Sequence, residues 1–439
     1  MGAALELPVE ASITGPATLP AAYPVSDLAA ASIATAADAL AALLAELGFV
    51  RGPVEVRRPV ADAWFGQAVT GVGWSPPPPW DPIAGDYRTA DGWIRLHTNA
   101  SPHRAAALRV LGVEGSREAV AAAVAGWPAR ALEEAVVAAG GAAAELRTPQ
   151  EWAEHPQGRT VAGLPLVEVT PAPAGADSPA WRPRADRPLA GLRVLDLTRV
   201  LAGPAATRLL AGLGADVLRI DPPSWEEPAL EPEMTLGKRT ARLDARTGEG
   251  RKLLAGLLAD ADVLVHGYRG GALDGLGLGA AERDALRPGL VDVSLTAYGQ
   301  AGPWAGRRGF DSLVQMSSGI AAAGLLDGSA DRPTPLPVQA LDHATGYLMA
   351  AAALAGLARR ARTGSGSRAV LSLARTAVEL ERVRELPRRP VEAPLVASGT
   401  PVGTAWGPAR VLVPPITIPG VPIGWDRGSS PLGSHPPAW

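Results

Sequence analysis

The sequence predicts an α/β fold: a large parallel-sheet, nucleotide-binding-like domain joined to a smaller α+β domain. Three observations predict it. Residues 188–381 alternate short apolar runs with Ala/Leu-rich stretches, and such alternation argues a parallel sheet with helices on both faces. The run from Pro188 to Pro223 reads as a buried strand, a Gly-Pro turn, a short helix and a second buried strand, the opening βαβ unit of such a domain. A chain of 439 residues that is 47% hydrophobic can fill two cores.

In chain order, residues 1–82 form an N-terminal segment that reads as mainly helical up to residue 65. Asp27 to Gly48 is one long Ala/Leu helix, with Asp27 near the end where free N–H groups favour a carboxylate. Ser75 to Pro82 is a stiff polyproline-like connector. Residues 83–170 read as the small α+β domain: a hairpin strand over Asp91–Thr98 after an Asp-Gly turn, helices over Arg104–Leu111, Arg117–Ala125 and Pro128–Ala139, and a strand over Gly163–Val169. Residues 171–187, rich in Pro, Ala and charge, predict a linker. In the large domain, 188–381, strands are expected near 192–197, 216–221, 262–266, 290–296 and 368–373. Helices are expected near 205–213, 248–260, 281–286, 311–322 and 343–361. The Pro-rich tail, 382–439, with β-like pieces at Arg410 and Ile416, is expected to return over another part of the molecule.

A net charge of −3 gives no electrostatic footprint for nucleic acid. There is no Cys, which removes disulfides and thiol nucleophiles. The N-terminus lacks a basic segment followed by an apolar core, so a cytoplasmic enzyme without a signal peptide is expected. The apolar run near Ala344–Ala358 is shorter than the about 20 residues a membrane span needs, which predicts a buried core helix and no membrane partner.

The turn after the first strand, Thr198 to Pro204, lacks GxGxxG, and no GxxxxGK[ST] occurs. The six His residues have no metal-ligand spacing, so no metal is expected, and no GxSxG elbow is present. A carboxylate remains for covalent chemistry. Tyr23-Pro-Val-Ser-Asp27 and Leu336-Pro-Val-Gln-Ala-Leu-Asp342 echo each other, each ending with Asp before an Ala-rich helix. Read alone, either Asp is a helix-start residue.

The blocks Gly237–Asp244, Thr247–Gly250, Ala261–Arg269, Leu276–Gly279, Ser294–Pro303, Gly309–Gly319, Asp342–Gly346 and Arg362–Gly366 follow the opening unit in order. Together they resemble family III CoA-transferases, the family of formyl-CoA and carnitine CoA-transferases. The resemblance implies a CoA-transferase that moves CoA between an acyl-CoA and a carboxylic acid through a covalent aspartyl intermediate, with coenzyme A as part of the substrate rather than a resident cofactor. Asp342 matches the family's nucleophile. Arg199, Val200 and Ala202 match the loop lining the thioester arm, Lys238 and Arg239 a basic pair near the nucleotide, and Tyr268 an aromatic near the adenine. The Ser317–Ile320 backbone is a candidate for close approach to the oxyanion. The resemblance also implies a homodimer of interlocked rings.

Several departures stand out. Gly275 replaces a frequent Arg and Gly267 a frequent Asn, which puts in question one phosphate contact that the resemblance implies. Racemases of the superfamily carry His where this chain has Phe310, which cannot move a proton. Residues 83–170 resemble the family's small domain yet precede the large one, and residues 20–65 resemble its Asp-bearing helix, so Asp27 is a second candidate nucleophile. The alternatives to transfer are an acyl-CoA isomerase or racemase, and a non-catalytic CoA-binding homologue.

Overall fold

The computed structural model describes residues 1–49, 52–175, 180–384, 392 and 399–439. At its centre is a seven-stranded sheet: β1 (Glu168–Ala174), β2 (Arg193–Leu197), β3 (Asp216–Asp221), β4 (Arg239–Arg242), β5 (Val263–His266), β6 (Val291–Thr296) and β7 (Ser365–Ser372). The spatial order is β4-β3-β2-β5-β6-β7-β1. Pairing is parallel throughout except between β7 and β1. The order reverses between β2 and β5, and in open α/β sheets the crevice beyond the strand ends at such a reversal is where ligands bind.

The strands form where apolar residues run together. Val194, Leu195, Val263, Leu264, Val291 and Val293 are all buried, as strands covered on both faces require. Two sequence expectations shift. The strand expected over Gly163–Val169 lies at Glu168–Ala174, and it joins the large sheet rather than the small domain. Its Pro171 and Pro173 cannot donate to a ladder, which confines it to the edge. The segment read as the start of a linker is therefore sheet; residues 176–179 of that segment lie outside the described residues. Residues 1–65 are also less helical than expected, with short strands at Ser12–Thr14 and Glu55–Arg57 paired to each other.

Two long helices pack along one another: α1 (Val25–Glu46) and α4 (Ala340–Thr363). Between them in sequence lie α2 (Ala202–Gly212) and α3 (Asp311–Ser317). By length and composition α1 is apolar enough to cross a membrane, but its window is 83% buried inside the protein. Both long helices contribute to one core with the sheet face.

The expected hairpin is present at Gly85–Arg88 and Trp93–Leu96, joined by a third strand at Ala143–Glu145. Helices Ser101–Leu111, Arg117–Val124 and Ala129–Ala138 accompany it, and Ile94, Leu96, Val120, Leu132 and Val136 fill a core of their own. The tail returns as expected. Gly399–Thr404 and Gly407–Leu412 form a hairpin that pairs with Val69–Gly71, and Ile416–Thr417 pairs with Glu55–Val56. Residues 385–391 and 393–398 of the tail lie outside the described residues.

Candidate active site

Helix α4 begins without a side-chain cap of its own, Gln339 standing at its N-cap. The first-turn N–H groups of a helix need partners from elsewhere. The N–H of Asp342 finds one on Asp311 at the start of α3, donating to its Oδ2 at 2.9 Å. Gln315, one turn further along α3, donates to the other oxygen of Asp311. Its own Oε1 accepts from the N–H of Leu336 at 2.8 Å. Asp311 and Gln315 are fully buried, and Asp342 is 7% exposed.

Burial raises both acids. The Asp311 carboxyl is pushed up to about 6 by burial, against the bonds it accepts from Asp342 N–H and Gln315. Asp342 is held well above the usual carboxylate range, first by burial and then by the charge of Asp311. Two neighbouring carboxyls out of water resist carrying two charges, and such a pair titrates as a unit.

Phe310, the residue before Asp311, is covered by the small domain. The ring of His97 stacks on it with centroids 3.7 Å apart and planes 9° apart, and His103 meets its edge. Burial draws His97 down to about 3, so its imidazole is neutral. An imidazole thus lies against Phe310, supplied from a different part of the chain.

The first turn of the sheet leads to the same place. Val200 adopts φ +68°, a left-handed conformation that a β-branched residue rarely takes, and its N–H donates to Glu227 Oε2 at 3.0 Å. Ala202, two residues on, starts α2, whose backbone lies against α4 at Gly346: a Cβ there would sit 2.4 Å from the Ala202 oxygen. Gly346 is one turn beyond Asp342, so the absent side chain is what lets the 198–202 loop approach the first turn of α4. Arg199 lies between two rings, its guanidinium carbon 5.0 Å from the centre of Trp225 and 5.6 Å from Tyr268. Arg199 and Tyr268 follow β2 and β5, the two strands flanking the reversal of strand order.

The other expected contacts are placed elsewhere. Lys238 is fully buried, with its Nζ 3.1 Å from Asp196 Oδ2 and 2.9 Å from the Pro204 carbonyl, and burial draws it down to about 8. It ties the first turn to β2 from inside. Arg239 faces away, paired with Asp216 at 2.7 Å and set against Trp439. The two side chains diverge where the chain enters β4, Lys238 just before the strand and Arg239 its first residue. Gly267 and Gly275 have open space around their Cα atoms. Gly319, in the run considered for the oxyanion, is closed off, since a Cβ there would meet Pro149 N at 2.3 Å.

Asp27 occupies the same place on α1 as Asp342 does on α4. Pro24 caps α1 with φ −76° and ψ 62°, and Gln339 caps α4 with φ −75° and ψ 68°. Each cap is the middle residue of the same tight turn, Val25 N–H to Tyr23 O and Ala340 N–H to Val338 O, both 2.8 Å. The surroundings differ: Arg58 Nε lies 3.3 Å from the Asp27 carboxylate.

Sequence reasoning missed Asp311 as a partner, together with Gln315, Arg58, Asp196 and Glu227. The one available signal was Asp311 and Gln315 at helical i, i+4 spacing. Among the described residues no group of His, Asp or Glu could hold a metal ion.

Residues 189–384 match the sequence profile of CoA-transferase family III. The chain is 37% identical over 203 residues to the succinyl-CoA:glutarate CoA-transferase of Mus musculus, covering 42% of this chain and 46% of that one. It is 34% identical over 197 residues to the succinyl-CoA–D-citramalate CoA-transferase of Chloroflexus aurantiacus, covering 42% and 48%. Among solved structures, a hypothetical protein (Rv3272) of Mycobacterium tuberculosis aligns at 32% identity and a TM-score of 0.41, over 45% of this chain and 58% of that one. The chain thus spans about half the length of the curated relatives it matches.

Proposed function

With residues 189–384 matching CoA-transferase family III, we propose that this protein moves CoA between an acyl-CoA and a carboxylic acid through a covalent intermediate on Asp342. The observation that carries this is the buried Asp342 on the first turn of α4, where the 198–202 loop also arrives. The ionised carboxylate attacks the thioester carbonyl, the C–S bond breaks, and CoA thiolate leaves an acyl-aspartyl anhydride. The thiolate then attacks the aspartyl carbonyl, releasing the donor acid and leaving an aspartyl-CoA thioester. The acceptor carboxylate attacks that thioester and expels the thiolate again. Thiolate attack on the new acyl carbonyl yields the product acyl-CoA and regenerates Asp342. Each difficult exchange is divided into easier steps.

Arg199, Val200 and Ala202 line the thioester arm of CoA in this reading and Tyr268 stands near its adenine, in keeping with the rule that open α/β sheets bind ligands beyond the strand ends where the strand order reverses. Lys238 acts by bracing the turn from within. Asp27 is disfavoured as nucleophile because Arg58 already pairs with its charge. The substrates are an acyl-CoA and a carboxylic acid. The family resemblance extends the proposal to a homodimer, which light scattering tests.

A second reading, a CoA-binding protein without transfer, is favoured by one observation: the expected basic pair is spent on the protein's own carboxylates, Lys238 on buried Asp196 and Arg239 on partly exposed Asp216. Intact-protein mass spectrometry decides between them. The protein is mixed with a panel of acyl-CoAs and quenched with hydroxylamine or borohydride. A mark on the peptide holding Asp342, absent in Asp342→Asn, is the expected result. CoA binding with no mark from any donor would favour the second reading.

A further inference from the structure

We propose, on the premise that Asp342 is the nucleophile, that Asp311 is its positioning residue: a cap lent by α3 that fixes the first turn of α4 and governs when Asp342 becomes charged. The geometry points there first. Asp311 gives one oxygen to the N–H of Asp342 and the other to Gln315, while Gln315 holds the N–H of Leu336. Two residues one turn apart on the short helix α3 thus grip the incoming segment and the helix it leads into. The hold matters because α4 has no cap of its own, and a nucleophile displaced by about 1 Å loses on the order of a hundredfold in rate.

The same contact has an electrostatic consequence. The charged group acting on Asp311 from the small domain is Arg95, which favours its ionised form. From α4 it faces Asp342. His97, stacked on the adjacent Phe310, is neutral and adds no charge. With Arg95 and two hydrogen bonds favouring a charged Asp311, the negative charge resides there and delays ionisation of Asp342. The nucleophile is thereby kept protonated in the empty site and released to its attacking form as pH rises.

The test is direct titration of the full chain labelled with [13Cγ]aspartate, followed by NMR, with the Asp342 signal assigned through Asp342→Asn. In the wild type, Asp342 is expected to titrate above the ordinary carboxylate range. In Asp311→Asn its midpoint is expected to fall by roughly 1 pH unit or more, because a like charge is gone. Gln315→Met supplies a second route. Loss of its donor favours protonated Asp311, so the Asp342 midpoint is again expected to fall. An Asp342 midpoint that stays in place in both variants overturns the proposal, as does an ordinary midpoint in the wild type. In turnover, Asp311→Asn is expected to lower kcat with KM little changed and to move the acid limb of the pH profile downward; a purely structural role would leave that limb where it is. Failure of the nucleophile premise is separable: it appears as absence of a trapped Asp342 in the wild type, whereas the NMR midpoints report the Asp311 hold without any turnover.

Discussion

A carboxyl folded where charge is costly leaves a thermodynamic mark. Asp342 has its folded value raised, so between the unfolded value and the folded one the native state holds a proton that the unfolded chain has lost. Stability then falls as pH rises through that window. Asp342→Asn removes the acid and with it the loss. The expected outcome is nearly equal stability of wild type and variant at pH 4, and a variant more stable by roughly 1–3 kcal/mol at pH 7, read by urea unfolding at both values. Equal stability at pH 7 would mean that the site tolerates the charge. Asp27 is expected to behave otherwise. Its ion pair with Arg58 is partly open to solvent, the Asp27 side chain being 36% exposed, and exposed pairs contribute about 0.2–1 kcal/mol. Asp27→Ala is therefore expected to leave hydroxylamine trapping at Asp342 unchanged and to cost less than about 1 kcal/mol in the same unfolding experiment. Loss of trapping would move the active site to α1.

Between elements, the decisive contact is the seat of α2 on α4. Gly346 leaves no room for a side chain, since a Cβ would stand 2.4 Å from the Ala202 carbonyl oxygen. Backbone cannot give way as a flexible side chain can, and overpacking of this kind costs about 1–3 kcal/mol. Gly346→Val is expected to lower stability by at least that amount and to reduce CoA exchange beyond what unfolding explains, because the same contact joins the 198–202 loop to the turn bearing Asp342. Exchange measured on the folded fraction checks it. The elements differ in how legible they are from sequence. Strands β2, β3, β5, β6 and β7 announce themselves as apolar runs because both sheet faces are covered. Strand β4, Arg239–Arg242, does not: it lies at the sheet edge and holds Thr and Ala between two Arg, and its pairing with β3 is a tertiary fact. Strand β1 is hidden by its prolines, which read as linker. Asp342 is legible from its block, and the echo with Asp27 survives down to matching cap angles. The bond from Asp342 to Asp311 is not, because it joins residues 31 apart whose proximity only the packing of α3 against α4 creates.

Across the whole molecule, the small domain precedes the large one in sequence yet covers the site from outside. Phe310 and Leu313 pack with Ala142, Ala144 and Trp93, while the N–H of Arg147 donates to the Met316 carbonyl at 3.1 Å, so α3, which carries Asp311, is held from the small-domain side. A charged latch stands beside this contact. Glu133 of the small domain accepts from Arg147 at 2.7 Å and pairs with Arg307 of the large one at 2.8 Å, with all three side chains less than 10% exposed. The Arg307 guanidinium lies 3.9 Å above the ring of Trp304, and that of Arg147 lies 5.1 Å from the same ring. Two cations share one buried carboxylate; removing it leaves Arg307 uncompensated, while Arg147 keeps only Glu145, 3.3 Å away. Such a loss costs about 3–5 kcal/mol, more than the pair itself contributes. Glu133→Gln is therefore expected to destabilise the protein by that order, and Arg307→Met in the same background to restore part of it, since one orphaned charge is then gone. Urea unfolding of the two single variants and the double variant gives the coupling. If the latch holds the small domain over α3, Glu133→Gln is also expected to lower the Asp342 midpoint: water reaching the opened site would ease the burial that raises it. A destabilised variant whose Asp342 midpoint stays at the wild-type value would confine the latch to stability and leave the dryness of the site to α3 and α4 alone.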